Sequence, residues 1–135
     1  SAVVHPTMNY VDYIAALSRC DVHAATFPFG GTNSVFDSLS CGPPVLCLAA
    51  QEIHGAQEED FIRRVGLPEW LVAKSEDEYV DNLVRLVEQP GLLAELQVLI
   101  ADRDRIAGIF AGGGQPEAFA AALCELAAGG NVEKA

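Results

Sequence analysis

Residues 26–33, Thr26-Phe27-Pro28-Phe29-Gly30-Gly31-Thr32-Asn33, lead out of a short apolar run and into a helical pattern. Paired glycines let a backbone approach a ligand closely. Free amides and the dipole at a helix start favour phosphate. Thr32 and Asn33 can add side-chain hydrogen bonds to such a ligand, or they can cap the helix. Asp37 follows Asn33 by one helical turn on the same face, where a carboxylate can accept hydrogen bonds from two ribose hydroxyls. The residue types fit a plain tight turn with an N-cap equally well. No lysine follows the glycines, so this is not a Walker-type loop.

His5 and His54 fall at the ends of apolar runs, and His23 lies inside one. Ligands of parallel sheets bind beyond the carboxyl ends of strands, so His5 and His54 are site candidates and His23 is structural. Tyr10 and Tyr13 open the first helical stretch; either ring could pack on a base or ribose, with core or surface packing as the alternative and the favoured reading for Tyr13. Arg63 and Arg64 follow Glu58, Glu59 and Asp60 at helical spacing, the pattern of a solvated face with internal ion pairs. Trp70, between Leu67-Pro68 and Leu71, reads as a packing anchor. Cys20, Cys41, Cys47 and Cys124 form no C-x-x-C pair and have no metal-ligand spacing. They read as free thiols, which implies a reducing compartment, and the expected location is the cytoplasm.

The elements that must position these groups alternate. Residues 2–4, 22–26, 45–49 and 71–73 read as short strands, and 45–49 is apolar throughout, as in a buried parallel sheet. Helical patterns cover residues 9–19, 33–41 and 55–65, the last two ending at Gly42-Pro43-Pro44 and Gly66. Ser75-Glu76-Asp77-Glu78 is a capping box opening a helix with Tyr79, Leu83, Leu86 and Val87 on one side. Pro90 starts another helix with Leu92, Leu93, Leu96 and Leu99. Gly112-Gly113-Gly114 is a break, and residues 116–128 form a final alanine-rich helix. The expected fold is α/β, a Rossmann-like parallel sheet with flanking helices. Residues 1–128 form one unit and 129–135 a flexible tail. The 135 residues carry a net charge of −11, which repels nucleic acid and anionic membranes. No apolar run approaches the roughly 18 residues of a membrane span.

His5-Pro6, Asn9-Tyr10, Asp12-Tyr13, Phe27-Pro28-Phe29-Gly30, Thr32-Asn33 and Asp37 together resemble the bacterial adhesin glycosyltransferases of glycosyltransferase family 41. Glu52-Ile53-His54, the run Arg64-Val65-Gly66-Leu67-Pro68-Glu69-Trp70-Leu71 and Asp77-Glu78-Tyr79-Val80 continue the resemblance. The family is similar to the O-GlcNAc transferases. The resemblance implies part of the C-terminal, nucleotide-binding lobe of a GT-B fold. It also implies hexose transfer from a UDP-sugar to asparagine or Ser/Thr side chains of a protein such as an adhesin, with inversion and without a metal or other cofactor. It puts uracil against the backbone near Val4 and His5, the diphosphate at Gly30, Thr32 and Asn33, and ribose at Asp37; the paired-glycine reading adds Gly31 to the nucleotide-binding candidates. Tyr10 and His54 would flank the nucleotide and sugar.

The matched pattern has two departures. Gly31 stands where the family has asparagine, and Gly55-Ala56 where it has Glu-His. The alternative reading is therefore a relative without transfer activity, a nucleotide-binding or assembly domain. The resemblance also implies that the acceptor lobe and a diphosphate-neutralising lysine lie outside this stretch. The expectation is weak nucleotide binding and no turnover by the chain alone, with an acceptor protein engaged through the other lobe. In a doubly wound sheet the strands at residues 2–4 and 22–26 would not be neighbours. An exposed sheet edge, and a homodimer formed through it, follow as expectations.

Overall fold

The computed structural model describes residues 3–50, 52–109 and 116–127, with Ile53 and His54 as backbone only. In chain order the elements are α1 (Tyr10–Leu17), β1 (His23–Ala24), α2 (Thr32–Cys41), β2 (Val45–Leu48) and α3 (Ile53–Val65). A 3-10 turn (Glu69–Leu71) follows, then β3 (Val72–Ala73), α4 (Glu76–Glu88), α5 (Pro90–Ala101), α6 (Arg103–Ala107) and α7 (Pro116–Ala127). The three strands form one parallel sheet in the order β1-β2-β3. His23 pairs with Val45 and Ala24 with Leu46, while Cys47 pairs with Val72 and Leu48 with Ala73. The upstream half of β2 thus bonds one neighbour and the downstream half the other.

β2 sits at the centre because it is apolar on both faces. Val45, Leu46 and Cys47 are fully buried, as strands covered by helices must be. Helices α2, α3 and α4 all pack on β2, and α4 also reaches β3. Val35 and Leu39 from α2, Ile62 and Val65 from α3, and Leu86 from α4 fill the core with Leu96 and Ile100 of α5. The helix ends follow their residues. Asn9 caps α1 by accepting the Asp12 amide, and Ser75 caps α4 by accepting that of Glu78. The Glu78 carboxylate reaches back to the Lys74 amide at 2.8 Å. Gly42 and Gly66, at φ 118 and 72, end α2 and α3 in the left-handed region that glycine tolerates.

The strand expected over residues 2–4 does not form. Val3 and Val4 are irregular and 76% and 91% exposed. A strand needs a neighbour's amides and carbonyls, and β1 extends over only two residues, both paired to β2. Of the apolar residues grouped on one side of α4, Tyr79 and Leu86 are buried while Val87 is 73% exposed, and Asn82 is buried in that helix too, donating to the Trp70 carbonyl at 2.8 Å. Helix α6, which the apolar spacing does not indicate, is capped by Asp102 accepting the Asp104 amide. The glycine break at 112–114 and the tail at 129–135 lie outside the described residues. Among the described residues the free side of β1 is a two-residue edge. Short edges resist pairing with another chain, so the sheet gives no support to the expected homodimer. No described helix is long and apolar enough to cross a membrane.

Candidate functional site

The loop from β1 to α2 leaves the carboxyl end of a parallel strand, the position where such sheets bind ligands. It is held from below. The Tyr79 hydroxyl donates to the Ala25 carbonyl at 2.9 Å, and the Phe27 ring meets Tyr79 edge-on at 5.5 Å between centroids. The Thr26 hydroxyl donates to the Phe29 carbonyl at 2.9 Å, closing the turn across a cis Phe27-Pro28 bond. Gly30 and Gly31 then enter α2. The Gly31 carbonyl accepts the Val35 amide and the Ser34 hydroxyl, each at 2.8 Å.

Helix α3 lies against this loop. The Gly31 amide donates to Glu58 Oε1 at 2.7 Å, and the Thr32 hydroxyl to Gln57 Oε1 at 2.6 Å. Glu58 therefore caps α2 from another helix, since no side chain of α2 does so. Burial holds the Glu58 carboxyl above its ordinary range, and the hydrogen bond from Gly31 offsets this only in part. A cavity of about 460 Å³ opens here, bounded by Thr26, Gly30, Ala50, Glu52, Glu58 and Glu76 among others. None of the described residues lining it is cationic.

On the other side of α2, the Tyr10 hydroxyl donates to Asp37 Oδ1 at 2.8 Å. That bond holds the Tyr10 phenol above its ordinary value. Tyr13 lies beside it, ring centroids 6.1 Å apart, its own phenol raised chiefly by burial. So Tyr10 and Asp37, far apart in sequence, share one corner. Gly30, Gly31 and Thr32 share the other with α3. Asn33 is exposed at the start of α2, and Val4 and His5 are exposed and irregular. His54 lies in the first turn of α3, near the loop by its chain position; its side chain is outside the description.

Two site residues escaped the sequence reading. Glu58 was assigned with Glu59 and Asp60 to a solvated face. The ion pairs expected there do form, Arg63 with Glu59 and Arg64 with Asp60, each at 2.6 Å. Glu58 does not share that face: it is 3% exposed. The signal was its spacing, because Gly55, Glu58, Ile62 and Val65 recur at helical period and all four are buried. Gln57, at the side of that stripe, had no comparable signal.

The two departures also have a setting. A Cβ on Gly55 would overlap the Ala50 methyl, which has no rotamer to escape into, so this backbone leaves no room for a glutamate there. A Cβ on Gly31 would overlap only the Ser34 hydroxyl, which can rotate.

No family model matches the chain. The chain is 37% identical over 116 residues to the UDP-glucose:protein N-beta-glucosyltransferase of Actinobacillus pleuropneumoniae serotype 5b, covering 86% of this chain and 19% of that protein. It is 35% identical over 97 residues to the probable UDP-N-acetylglucosamine–peptide N-acetylglucosaminyltransferase SPINDLY of Arabidopsis thaliana, covering 72% of this chain and 10% of that one. Its fold is similar to that of a mutant O-GlcNAc transferase of Thermobaculum terrenum, with a TM-score of 0.68 at 27% identity, over 76% of this chain and 19% of that chain. The chain thus spans 19% or less of the length of these relatives.

Proposed function

This chain is a relative, over part of their length, of the UDP-sugar protein glycosyltransferases, and from that premise we propose that it grips the nucleotide of the sugar donor within a longer enzyme. That enzyme is inverting and metal-independent, acts in the cytoplasm, and moves hexose to asparagine or Ser/Thr side chains of an acceptor protein bound by another lobe. The observation that carries the reading is the loop Gly30-Gly31-Thr32-Asn33. It opens α2 at the carboxyl end of β1, with Asp37 one turn further in.

The chemistry follows from the residues. UDP leaves with negative charge, and amides at a helix start stabilise that charge without reorganising. Asp37 accepts the ribose hydroxyls, and Tyr10, donating to one of its oxygens, fixes the carboxylate's orientation. Thr32 adds a hydroxyl to the diphosphate once it turns from Gln57. Val4 and His5 meet uracil, and His54 lies on the sugar side. Calorimetric titration of the chain with UDP tests this, with Asp37→Ala as control. Saturable binding lost in the variant is the expected result; equal binding by the variant would remove Asp37 from the site.

A second reading, a nucleotide-binding or assembly module without transfer activity, draws on one observation. Glu52, Glu58 and Glu76 line the cavity and Glu58 already holds the Gly31 amide. Sugar transfer by the longer parent protein separates the two.

A further inference from the structure

Glu58 is the least expected group at this site. A carboxylate that is 3% exposed occupies the Gly31 amide, the donor at the start of α2. Its seat is built: a Cβ on Gly30 would overlap the Glu58 carboxyl group, so the glycine there is what lets it in. Among the described side chains that face it, none is cationic. β2 brings the Cys47 thiol and α4 brings Tyr79 and Glu76, while Glu52 lies at the start of α3 itself. At the start of α2 the Gly31 amide meets it.

A phosphate at the same amide would put a second anion beside a carboxylate that is itself buried, where like charges are screened less than in bulk water. We propose that Glu58 is an internal stand-in for the donor's phosphate: in the free protein its negative charge sits at the Gly31 amide, and when the nucleotide binds it takes a proton and leaves that charge to the phosphate. This rests on the nucleotide reading above. Burial already biases Glu58 toward its protonated form. Moving it into open water would break the seat between Gly30 and α3. Protonation keeps the side chain in place while removing the charge.

Donor binding then takes up a proton. Affinity falls as pH rises above the titration of Glu58, by about tenfold per unit for full linkage, and is level below it. The probe is UDP-glucose, whose diphosphate is a diester and stays fully ionised through this range. Its Kd is measured by calorimetry from about pH 5.5 to about pH 8.5 for the wild type and for Glu58→Gln, in buffers of differing ionisation enthalpy. Glutamine keeps an acceptor for Gly31 and removes the charge. The expected result is proton uptake by the wild type and none through this position in the variant. Binding by Glu58→Gln should be about tenfold or more tighter at the alkaline end.

Equal affinity and equal pH slope in the two proteins would overturn the proposal and leave the nucleotide site standing. Binding by neither would overturn the site and the proposal together. If the variant misfolds, the Gly31 amide resonance of the wild type decides: it should titrate with Glu58 and cease to do so in saturating UDP-glucose. A Gly31 resonance that does not move with pH overturns the proposal.

Discussion

Tyr79→Phe isolates the prop beneath the site loop. Tyr79 is 8% exposed and Ala25 2% exposed, and the hydroxyl reaches the Ala25 carbonyl at 2.9 Å. Phenylalanine keeps the ring and therefore its edge contact with Phe27. The perturbation is thus one hydrogen bond removed from a buried carbonyl. Losing a bond of this kind costs about 1 kcal/mol net, and leaving its buried partner unsatisfied brings the range to about 1–3 kcal/mol. For a domain of this size the middle of that range lowers Tm by about 6–10 °C. Urea unfolding is the direct assay. The midpoint should fall with the slope unchanged, because the surface exposed on unfolding is the same. A loss below about 0.5 kcal/mol, within the range of ordinary surface substitutions, would refute the view that this bond holds the loop on the sheet.

Leu46→Ala, in the fully buried centre of β2, should cost about 2–5 kcal/mol in urea unfolding; a loss under about 1 kcal/mol would mean the core collapses into the gap. Gly55→Glu should destabilise by about 1–3 kcal/mol, since its Cβ overlaps the Ala50 methyl. Combining it with Ala50→Gly should recover most of the loss, as thermal melts of the single and double variants would show. His23 has its buried Nδ1 without a hydrogen-bond partner, and desolvation holds its pKa below the ordinary value. The unfolded chain then binds the proton more tightly, so its contribution to stability is full above about pH 6.5 and is lost as pH falls below that value through the lower folded-state pKa. Urea midpoints against pH should decline more steeply on the acid side for the wild type than for His23→Gln; parallel profiles would count against it.

The parts of the fold that local chemistry dictates were legible. Ser75, Gly42 and Gly66 each start or end a helix as their types require. The unbroken apolar run at Val45–Leu48 is the central strand. The strand at residues 2–4 failed because β propensity needs a partner, and partners are a property of the whole sheet. Of the candidate site, the local geometry was legible where one loop carries it: residues 30–33 lead from β1 into α2, and Asp37 follows one turn in. It was not where two elements meet. Tyr10 finds Asp37 only because α1 packs on α2. Glu58 sits among acidic neighbours whose composition announces a wet surface, while its register on α3 turns it inward.

The staggered pairing along β2 has a consequence for motion. Because Val45 and Leu46 bond β1 while Cys47 and Leu48 bond β3, the two outer strands share no rung. Either can detach without unzipping the other, so the sheet divides into two cooperative opening units rather than one. The β3 unit is backed by α4, and its pairing is extended by the Ala49 amide on the Ala73 carbonyl at 2.7 Å. The β1 unit ends in the loop that carries Gly30 and Gly31. Amide exchange should therefore be faster at His23 and Ala25 than at Ala49. The site rides on the half of the sheet that can breathe alone, and a ligand that closes the loop would slow that half first.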